Sequence, residues 1–595
     1  MNSIQNTLWQ EKIYNESLAN YIMQKYNTSY IASKLISSRL TSKQNISLDT
    51  SNQDNLHHLD ASNQNQSLNF DLNKKIENFL YPKIQNLLTD IYHLKDLKKA
   101  INLIIQAIQQ KQTICIYGDY DVDGASATSL LSLFFKDLKV KTNLYIPDRL
   151  SEGYGLNITA INKIAQQKND IIIAVDNGST AFEQIKHANK LNIQVIVLDH
   201  HITEDKLPNA LIINPNRLDQ ISPYKNLCAT GVTWIFCVAL RSAIEQYINI
   251  PKSKLLEYLD IVALATVCDV MELSELNRFF VQYGIEIMNH PTKGNKGIKN
   301  LLNLINEKAS AGTIGFKLGA MINAGSRLEN SYLATKLLTN DDLKIANQLF
   351  NLNETRKEIE NKIYIDAYQQ ALQNRHKRII IIHSDIWHIG VIGIIASRIM
   401  EEFNKPCIII SYIEKIGVGS CRSIQQINIG NIIINAKNKK LILEGGGHHM
   451  AAGFKIDKKM HNEFTNYIDN NSPQIIQSNK QYDLTIDLTS INLMLLQQLN
   501  ILEPYGNGNK TPVFLIQNIT CKNIKILKNM HVMCILDNNI NAFAFRSINN
   551  SIGHFLIANS KNIYKEKFHI IGTLSQFNGK ISIIIIDVIK DFKNQ

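Results

Sequence analysis

Thr113-Ile114-Cys115-Ile116-Tyr117-Gly118-Asp119-Tyr120-Asp121-Val122-Asp123-Gly124 is the stretch that decides how this chain folds. An apolar, β-branched run stops at a glycine, and three aspartates then alternate before a second glycine. The design recurs downstream, where residues 171–175 run into Asp176-Asn177-Gly178 and residues 193–198 into Asp199-His200-His201. Strand-like runs at 113–117, 143–146, 171–175 and 193–198 alternate with helical stretches at about 125–138, 158–167 and 180–191. That alternation predicts an α/β fold built on a parallel sheet wrapped by helices. In an open parallel sheet, groups at the C-terminal strand ends converge on one crevice. The three acidic groups therefore meet in space although they are distant in sequence. Asp269 closes a helical run at 255–267 and reaches the same place.

Any one of these aspartates alone reads as a turn residue or a helix cap. Together, each directly after a strand, they form a cluster whose mutual repulsion would neutralise some of its members. Divalent cations are the ordinary solution. Oxygen ligands with imidazole suit Mn²⁺, with Mg²⁺ as the alternative. Two such ions can clamp a phosphodiester and activate water, which points to a metal-dependent phosphodiesterase.

Working outward, residues 1–35 are polar with helical spacing and read as an N-terminal cap. Residues 41–72, rich in Ser, Asn, Gln and Asp, read as a flexible insert. Residues 341–373 lack Gly and Pro and carry Ile345, Leu349, Leu352, Ile359, Ile363 and Ala367 at helical spacing, so one long connecting helix is expected. A second α/β pattern starts at Arg378 and ends in a glycine cluster at 445–453. From Tyr482 onward, short β-rich segments separated by polar turns suit a small barrel. The expected organisation is a cap and insert over 1–74, a catalytic domain over 75–335, a connecting helix over 336–376, a second α/β domain over 377–475 and a barrel over 476–595.

The formal charge of +11 favours a polyanionic partner without identifying one. The eight cysteines form no C-x-x-C pair, which argues against a zinc site or a disulfide framework and suits a reducing compartment. The first twenty residues lack the apolar core of a signal peptide. No apolar run approaches the ~20 residues that cross a bilayer. A cytoplasmic protein without a membrane partner is expected, monomeric by default.

Gly118-Asp119-Tyr120-Asp121-Val122-Asp123-Gly124 with Asp199-His200-His201 resembles the DHH phosphoesterase superfamily. Further motifs resemble its bacterial branch of single-strand-specific exonucleases, the RecJ family. They are Pro147-Asp148-Arg149 with Glu152-Gly153-Tyr154-Gly155, Asn323-Ala324-Gly325-Ser326-Arg327-Leu328, Leu352-Asn353 with Arg356-Lys357, and Trp387-His388-Ile389-Gly390-Val391-Ile392-Gly393. Gly419-Ser420-Cys421-Arg422-Ser423, Gly446-Gly447-His448 with Ala451-Ala452-Gly453, and Leu502-Glu503-Pro504-Tyr505-Gly506-Asn507-Gly508-Asn509 complete the set. The resemblance implies a DHH domain, a long helix, a DHH-associated domain and an OB-type barrel. It also implies 5′→3′ degradation of single-stranded DNA in repair and recombination, with a helicase and a single-strand-binding protein as partners.

Carried over by motif, Asp119, Asp121 and Asp176 would hold one ion. Asp123, Asp176, His200 and Asp269 would hold the other, with Asp176 bridging. Asp199 would orient its neighbours, and His201 would face the scissile phosphate. Arg149, Arg327 and Arg422 are forked donors suited to a terminal phosphate. Ser420, Gly447 and His448 would complete that pocket, and Tyr505 is a candidate base-stacking residue, with packing inside the barrel the more ordinary role for an isolated tyrosine. Four positions depart from the family pattern: Ala320-Met321 replaces Pro-Arg, Ser326 replaces a glycine, and Cys421 replaces a glycine whose loss would crowd the pocket or constrain φ. Two other classes compete with the exonuclease. A small-substrate phosphodiesterase of the superfamily normally has only the two catalytic domains, and a non-catalytic replication factor would have lost the acidic set that is intact here.

Overall fold

The computed structural model describes residues 1–595 apart from 2, 6, 43–62, 150, 249, 474–478, 562–565, 578 and 591–595. The chain forms two compact units. One comprises Met1–Thr89, Glu272–Gln282 and Gln477–Gln595; the other comprises Asp90–Met271 and Tyr283–Ile476.

The second unit holds two sheets. The first has five parallel strands in the spatial order Thr142–Tyr145, Ile114–Tyr117, Ile171–Val175, Gln194–Leu198, Leu211–Ile213. The central strands are buried along their length, which is why they read as unbroken apolar runs rather than as alternation. The chain reverses direction across the sheet between Ile114–Tyr117 and Ile171–Val175. This is the switch point where such sheets open a crevice. The sequence pattern misses the last strand, whose three residues are too few to establish a period. The helical run expected at 255–267 is two helices, Lys252–Glu257 and Leu259–Cys268, broken at Tyr258.

Helix Leu343–Gln373 leads from this sheet to the next. The second sheet runs Glu444–Gly447, Ala451–Asp457, Ile416–Arg422, Cys407–Ile413, Ile380–Ser384, parallel only between its last two strands. The glycine cluster is thus an antiparallel hairpin at the sheet edge.

In the first unit, seven strands form one sheet. Its order is Leu484–Ile486, Phe514–Ile519, Phe568–Phe577, Lys580–Lys590, Asn541–Ala544, His531–Leu536, Cys521–Leu527. Its core includes Phe514 and Phe568 and also Leu18, Ile22, Leu35, Ile36, Ile76 and Leu80. The helices expected near the N-terminus form as Glu16–Tyr26 and Tyr30–Ser42, and they pack into this unit rather than standing as a separate cap. A strand at Leu8–Glu11, which the sequence pattern does not show, pairs with Asn479–Tyr482, and Trp9 Nε1 donates to Asp587 at 2.9 Å. Of the proposed flexible insert, 43–62 lies outside the described residues, while its end is corrected to the beginning of helix Asn63–Leu80. No helix among the described residues is long and apolar enough to cross a membrane.

Candidate active site

Asp121 caps helix Val122–Asp137, its carboxylate accepting the Gly124 N–H at 3.0 Å, and Asp123 lies in the first turn. A helix N-terminus favours negative charge, which is why two carboxylates tolerate this position. Gly124 is required sterically: a Cβ there would lie 2.5 Å from Asp119 Cβ and 2.8 Å from its backbone. The carboxylate of Asp123 is clamped from a second helix, Ala229–Ile244. It accepts from the N–H groups of Ala229 (2.7 Å) and Thr230 (2.9 Å) and from the Thr230 hydroxyl (2.6 Å). Asp176 ends its strand in left-handed backbone, φ 61°, a conformation that aspartate tolerates better than bulkier residues.

The three strand ends do converge. His200 Nε2 lies 3.4 Å from Asp176 Oδ1, 3.5 Å from Asp269 Oδ2 and 3.8 Å from Asp123 Oδ2. Potential ligand atoms of Asp123, His200 and Asp269 lie within 4.8 Å of one another, as do those of Asp119, Asp121 and Asp176, and those of Asp176, His200 and His201. Three oxygens here, Asp119 Oδ1, Asp176 Oδ1 and Asp269 Oδ2, are buried without a hydrogen-bond partner. Buried carboxylate oxygens are costly to leave unpaired. Their grouping, with an imidazole nitrogen between them, is a donor set for hard divalent cations. It fits the two ions expected from the sequence.

Electrostatics agrees. Burial, then the neighbouring carboxylates, pushes Asp119, Asp121 and Asp176 above the usual carboxylate range, and Asp269 up to about 8. Burial lowers His200, which favours the neutral, ligating form. Asp199 behaves oppositely. Burial would raise it, but the His201 hydrogen bond and charge prevail and hold it well below the ordinary range.

Asp199 is held by four hydrogen bonds. One oxygen accepts from the His200 N–H (2.8 Å), the His201 N–H (3.2 Å) and His201 Nδ1 (2.7 Å), and the other accepts from the Ser179 N–H. His201 therefore carries a proton on Nδ1. The Tyr154 hydroxyl donates to the Asp176 carbonyl at 2.8 Å, so toward His201 Nε2, 3.4 Å away, it acts as an acceptor. Burial would lower His201, but Asp199 outweighs it and the imidazole is pushed up to about 9. The sequence motif containing Tyr154 assigns the tyrosine no role. Asn214 and Asn216, which donate to the carbonyls of His201 and His200, carry no sequence signal because a loop asparagine has many ordinary uses.

Beside the acidic cluster lies a cationic one. Arg149 sits over the Tyr120 ring, 4.9 Å from its centroid. Arg327 Nη1 donates to the Gly390 carbonyl at 3.0 Å. Burial, with the like charges of Arg149, Arg356 and Arg422, pushes Arg327 down to about 9, and burial with Arg149 nearby lowers Arg422 as well. Arg422 Nη1 also donates to Ser420 Oγ at 3.3 Å. A Cβ on Gly393, in the first turn of helix Ile392–Phe403, would lie 3.1 Å from Ser420 Oγ and 3.2 Å from Arg422 Nη2. The helix N-terminus, Ser420 and Arg422 thus share one space, and such an end favours anions. Arg356, which the helix motif leaves without a role, is part of this cluster and pairs with Glu360 at 2.6 Å.

Gly446 aligns with Gly453, and Gly453 with Ser420, across the sheet, leaving a bare strip beside the serine hydroxyl. Gly447 and His448 are exposed at the hairpin end, where the His448 N–H donates to the Ala451 carbonyl at 2.7 Å. A Cβ on Gly447 would lie 2.4 Å from the Ala451 oxygen, so only glycine fits.

At two positions the structure decides between readings. Cys421 does not crowd the pocket: it lies in regular strand Ile416–Arg422, where alternation sends Ser420 and Arg422 to one face and Cys421 into the core on the other. Tyr505 does not offer a free ring. It packs against the core of the first unit, and its hydroxyl donates to the Leu499 carbonyl at 2.9 Å. Ser326 is buried in helix Gly319–Leu328 with its hydroxyl on the Asn323 carbonyl, turned to local use.

Residues 113–266 match the DHH family, N-terminal domain; 376–471 match the DHHA1 domain; and 482–586 match the RecJ OB domain. The single-stranded-DNA-specific exonuclease RecJ of Escherichia coli (strain K12) is 33% identical over 454 residues, covering 71% of this chain and 78% of that protein. The Bacillus subtilis (strain 168) protein of the same name is 29% identical over 472 residues, which are 77% of this chain but only 58% of that longer relative. Among solved structures, RecJ of Thermus thermophilus in complex with Mn²⁺ superposes with TM-score 0.77 at 23% identity, covering 99% of this chain and 80% of that one. A second, exonuclease RecJ bound to manganese, gives TM-score 0.57 at 28% identity over 66% of this chain and 97% of that one. With its acidic set intact and all three domain types in order, the chain belongs to the RecJ family.

Proposed function

We propose that this chain is a metal-dependent exonuclease that degrades single-stranded DNA from the 5′ end to 5′-mononucleotides, in DNA repair and recombination. The observation that carries the reading is the meeting of orphaned carboxylate oxygens with the Arg149, Arg327 and Arg422 cluster beside them. The relatives named as single-strand-specific exonucleases support it, as does a manganese-bound family structure at 28% identity. The third domain, matched as the RecJ OB domain, favours a polymeric strand over a small substrate.

Asp119, Asp121 and Asp176 would hold one Mn²⁺ or Mg²⁺, and Asp123, Asp176, His200 and Asp269 the other. Bound ions supply Lewis-acid polarisation of the phosphodiester and an acidified water. The chain's own groups do the rest. Asp199 fixes the His201 ring through Nδ1, which leaves Nε2, beside the Tyr154 hydroxyl, as the atom that can donate to charge developing on phosphate oxygen. Arg149, Arg327, Arg422 and Ser420, with Gly447 and His448 at the rim, hold the 5′-phosphate. Anchoring that end makes cleavage count from it. A helicase and a single-strand-binding protein would supply and protect the substrate, in the cytoplasm, with the enzyme acting as a monomer.

The test compares 5′- and 3′-labelled single strands and blunt duplexes with Mn²⁺, Mg²⁺ or EDTA. Mononucleotide release from the 5′ label of single strands, abolished by EDTA and by Asp123→Ala, is expected. Equal digestion of blunt duplex, or activity persisting in EDTA, contradicts the reading.

A further inference from the structure

Helix Leu259–Cys268 ends at Asp269, and two apolar side chains stand in solvent at that end. Val270 is 64% exposed and Phe316 is 85% exposed. Val270 has φ 56°, a costly conformation for a β-branched residue, and such strain gathers at functional sites. Phe316 lies in a π-helical turn, Ile314–Leu318, whose first and last residues are buried while 315–317 are exposed. Such turns are rare and recur at functional sites.

The turn is seated on the residues immediately before Asp269. Cys268 Sγ lies 3.7 Å from the Ile314 carbonyl, a Cβ on Gly315 would lie 3.4 Å from Val267, and one on Gly319 would lie 2.6 Å from Cys268 Sγ. Phe316 is thus carried by backbone packed against the ligand-bearing helix end. The arginines stand at other segments: Arg149 over the ring of Tyr120, next to Asp119, and Arg327 against the Gly390 carbonyl. A strand with its 5′-phosphate among the arginines and its cut at the acidic cluster would have the Asp269 end, and with it Phe316, available to its 3′ continuation.

We propose that Phe316, exposed like Val270 at this helix end, is a stacking platform for a base 3′ of the scissile phosphate and beyond the nucleotide next to the cut, one that a dinucleotide lacks. Every base offers a π-face, so such a platform grips single strands without reading sequence. A paired base, already stacked in a duplex, has no free face to give, so the platform also favours single over double strands. The inference rests on the exonuclease reading above.

The experiment measures kcat and KM with Mn²⁺ for a 5′-phosphorylated 20-mer and a 5′-phosphorylated dinucleotide, using wild type, Phe316→Ala and Phe316→Trp. It also follows 2-aminopurine placed at successive positions of the 20-mer, in Ca²⁺. Cleavage by the wild type checks the underlying reading separately. The expected result is a rise in KM for the 20-mer of about tenfold in Phe316→Ala, well beyond any change for the dinucleotide, with Phe316→Trp restoring it. Quenching at one position 3′ of the scissile bond should be lost in parallel. An unchanged KM ratio between 20-mer and dinucleotide, or quenching that persists in Phe316→Ala, overturns the proposal. Because the side chain is exposed, the alanine variant should keep the wild-type melting temperature.

Discussion

At the scale of single residues, the site divides its histidines by what surrounds them. His200 is lowered by burial and faces three carboxylates, while His201 is raised by the Asp199 carboxylate that accepts from its Nδ1. Asp199 itself is held by four hydrogen bonds, three of them on one oxygen and two of those from His201, which makes it an orienting group for that ring. Asp199→Asn should therefore reduce kcat about 10–100-fold, the usual cost of removing an orienting partner, while leaving Mn²⁺ stoichiometry intact. A change in stoichiometry measured by calorimetry would make Asp199 a ligand instead.

Asp260 offers a pH test away from the site. It is buried, and it accepts from the backbone N–H groups of Ile261 and Asn295. Burial pushes its carboxyl up to about 6. The folded chain thus holds this proton more tightly than the unfolded chain does. The resulting stability is present below about pH 4 and lost as pH rises through about 6. The difference from an ordinary aspartate is worth ~3 kcal/mol at most. In urea titrations with Mn²⁺ present, wild type should lose stability relative to Asp260→Asn between about pH 4 and 7; parallel curves would contradict this.

At the scale of elements, the local sequence carries some features clearly and hides others. The strands that bear the aspartates, and helix Leu343–Gln373, are regular enough to read from periodicity. Leu211–Ile213 and Leu8–Glu11 are too short, and they form because partner strands are already in place. The acidic set is legible because its residues lie next to strands. The clamp on Asp123 by Thr230, over a hundred residues away, is not.

Cys421 shows why a motif departure needs its element. Judged by the motif alone, its Cβ threatens the pocket; as a residue of strand Ile416–Arg422 it faces the core. Cys421→Gly should cost ~1–2 kcal/mol of stability and leave the preference for 5′-phosphorylated over 5′-hydroxyl strands unchanged. Gly393→Ala should do the reverse, since its Cβ intrudes on Ser420 and Arg422. A several-fold loss of that preference in competition digests, at near-native stability, is expected.

At the scale of the whole molecule, each of the two units has its own hydrophobic core, and only the Asp90–Met271 and Tyr283–Ile476 unit contains the acidic set. Ion binding should stabilise that unit through mass action, by ~3 kcal/mol at a hundredfold excess over Kd. In calorimetric melts, Mn²⁺ should raise one transition and leave the other in place.

The central claim is that one set of strand-end carboxylates holds two divalent ions side by side, with Asp176 between them. Electron paramagnetic resonance during Mn²⁺ titration tests it most directly. Two ions per chain with a spin-coupled signal, and loss of that coupling in Asp176→Asn, are the predicted result. A single uncoupled ion per chain, or coupling that survives Asp176→Asn, would contradict it.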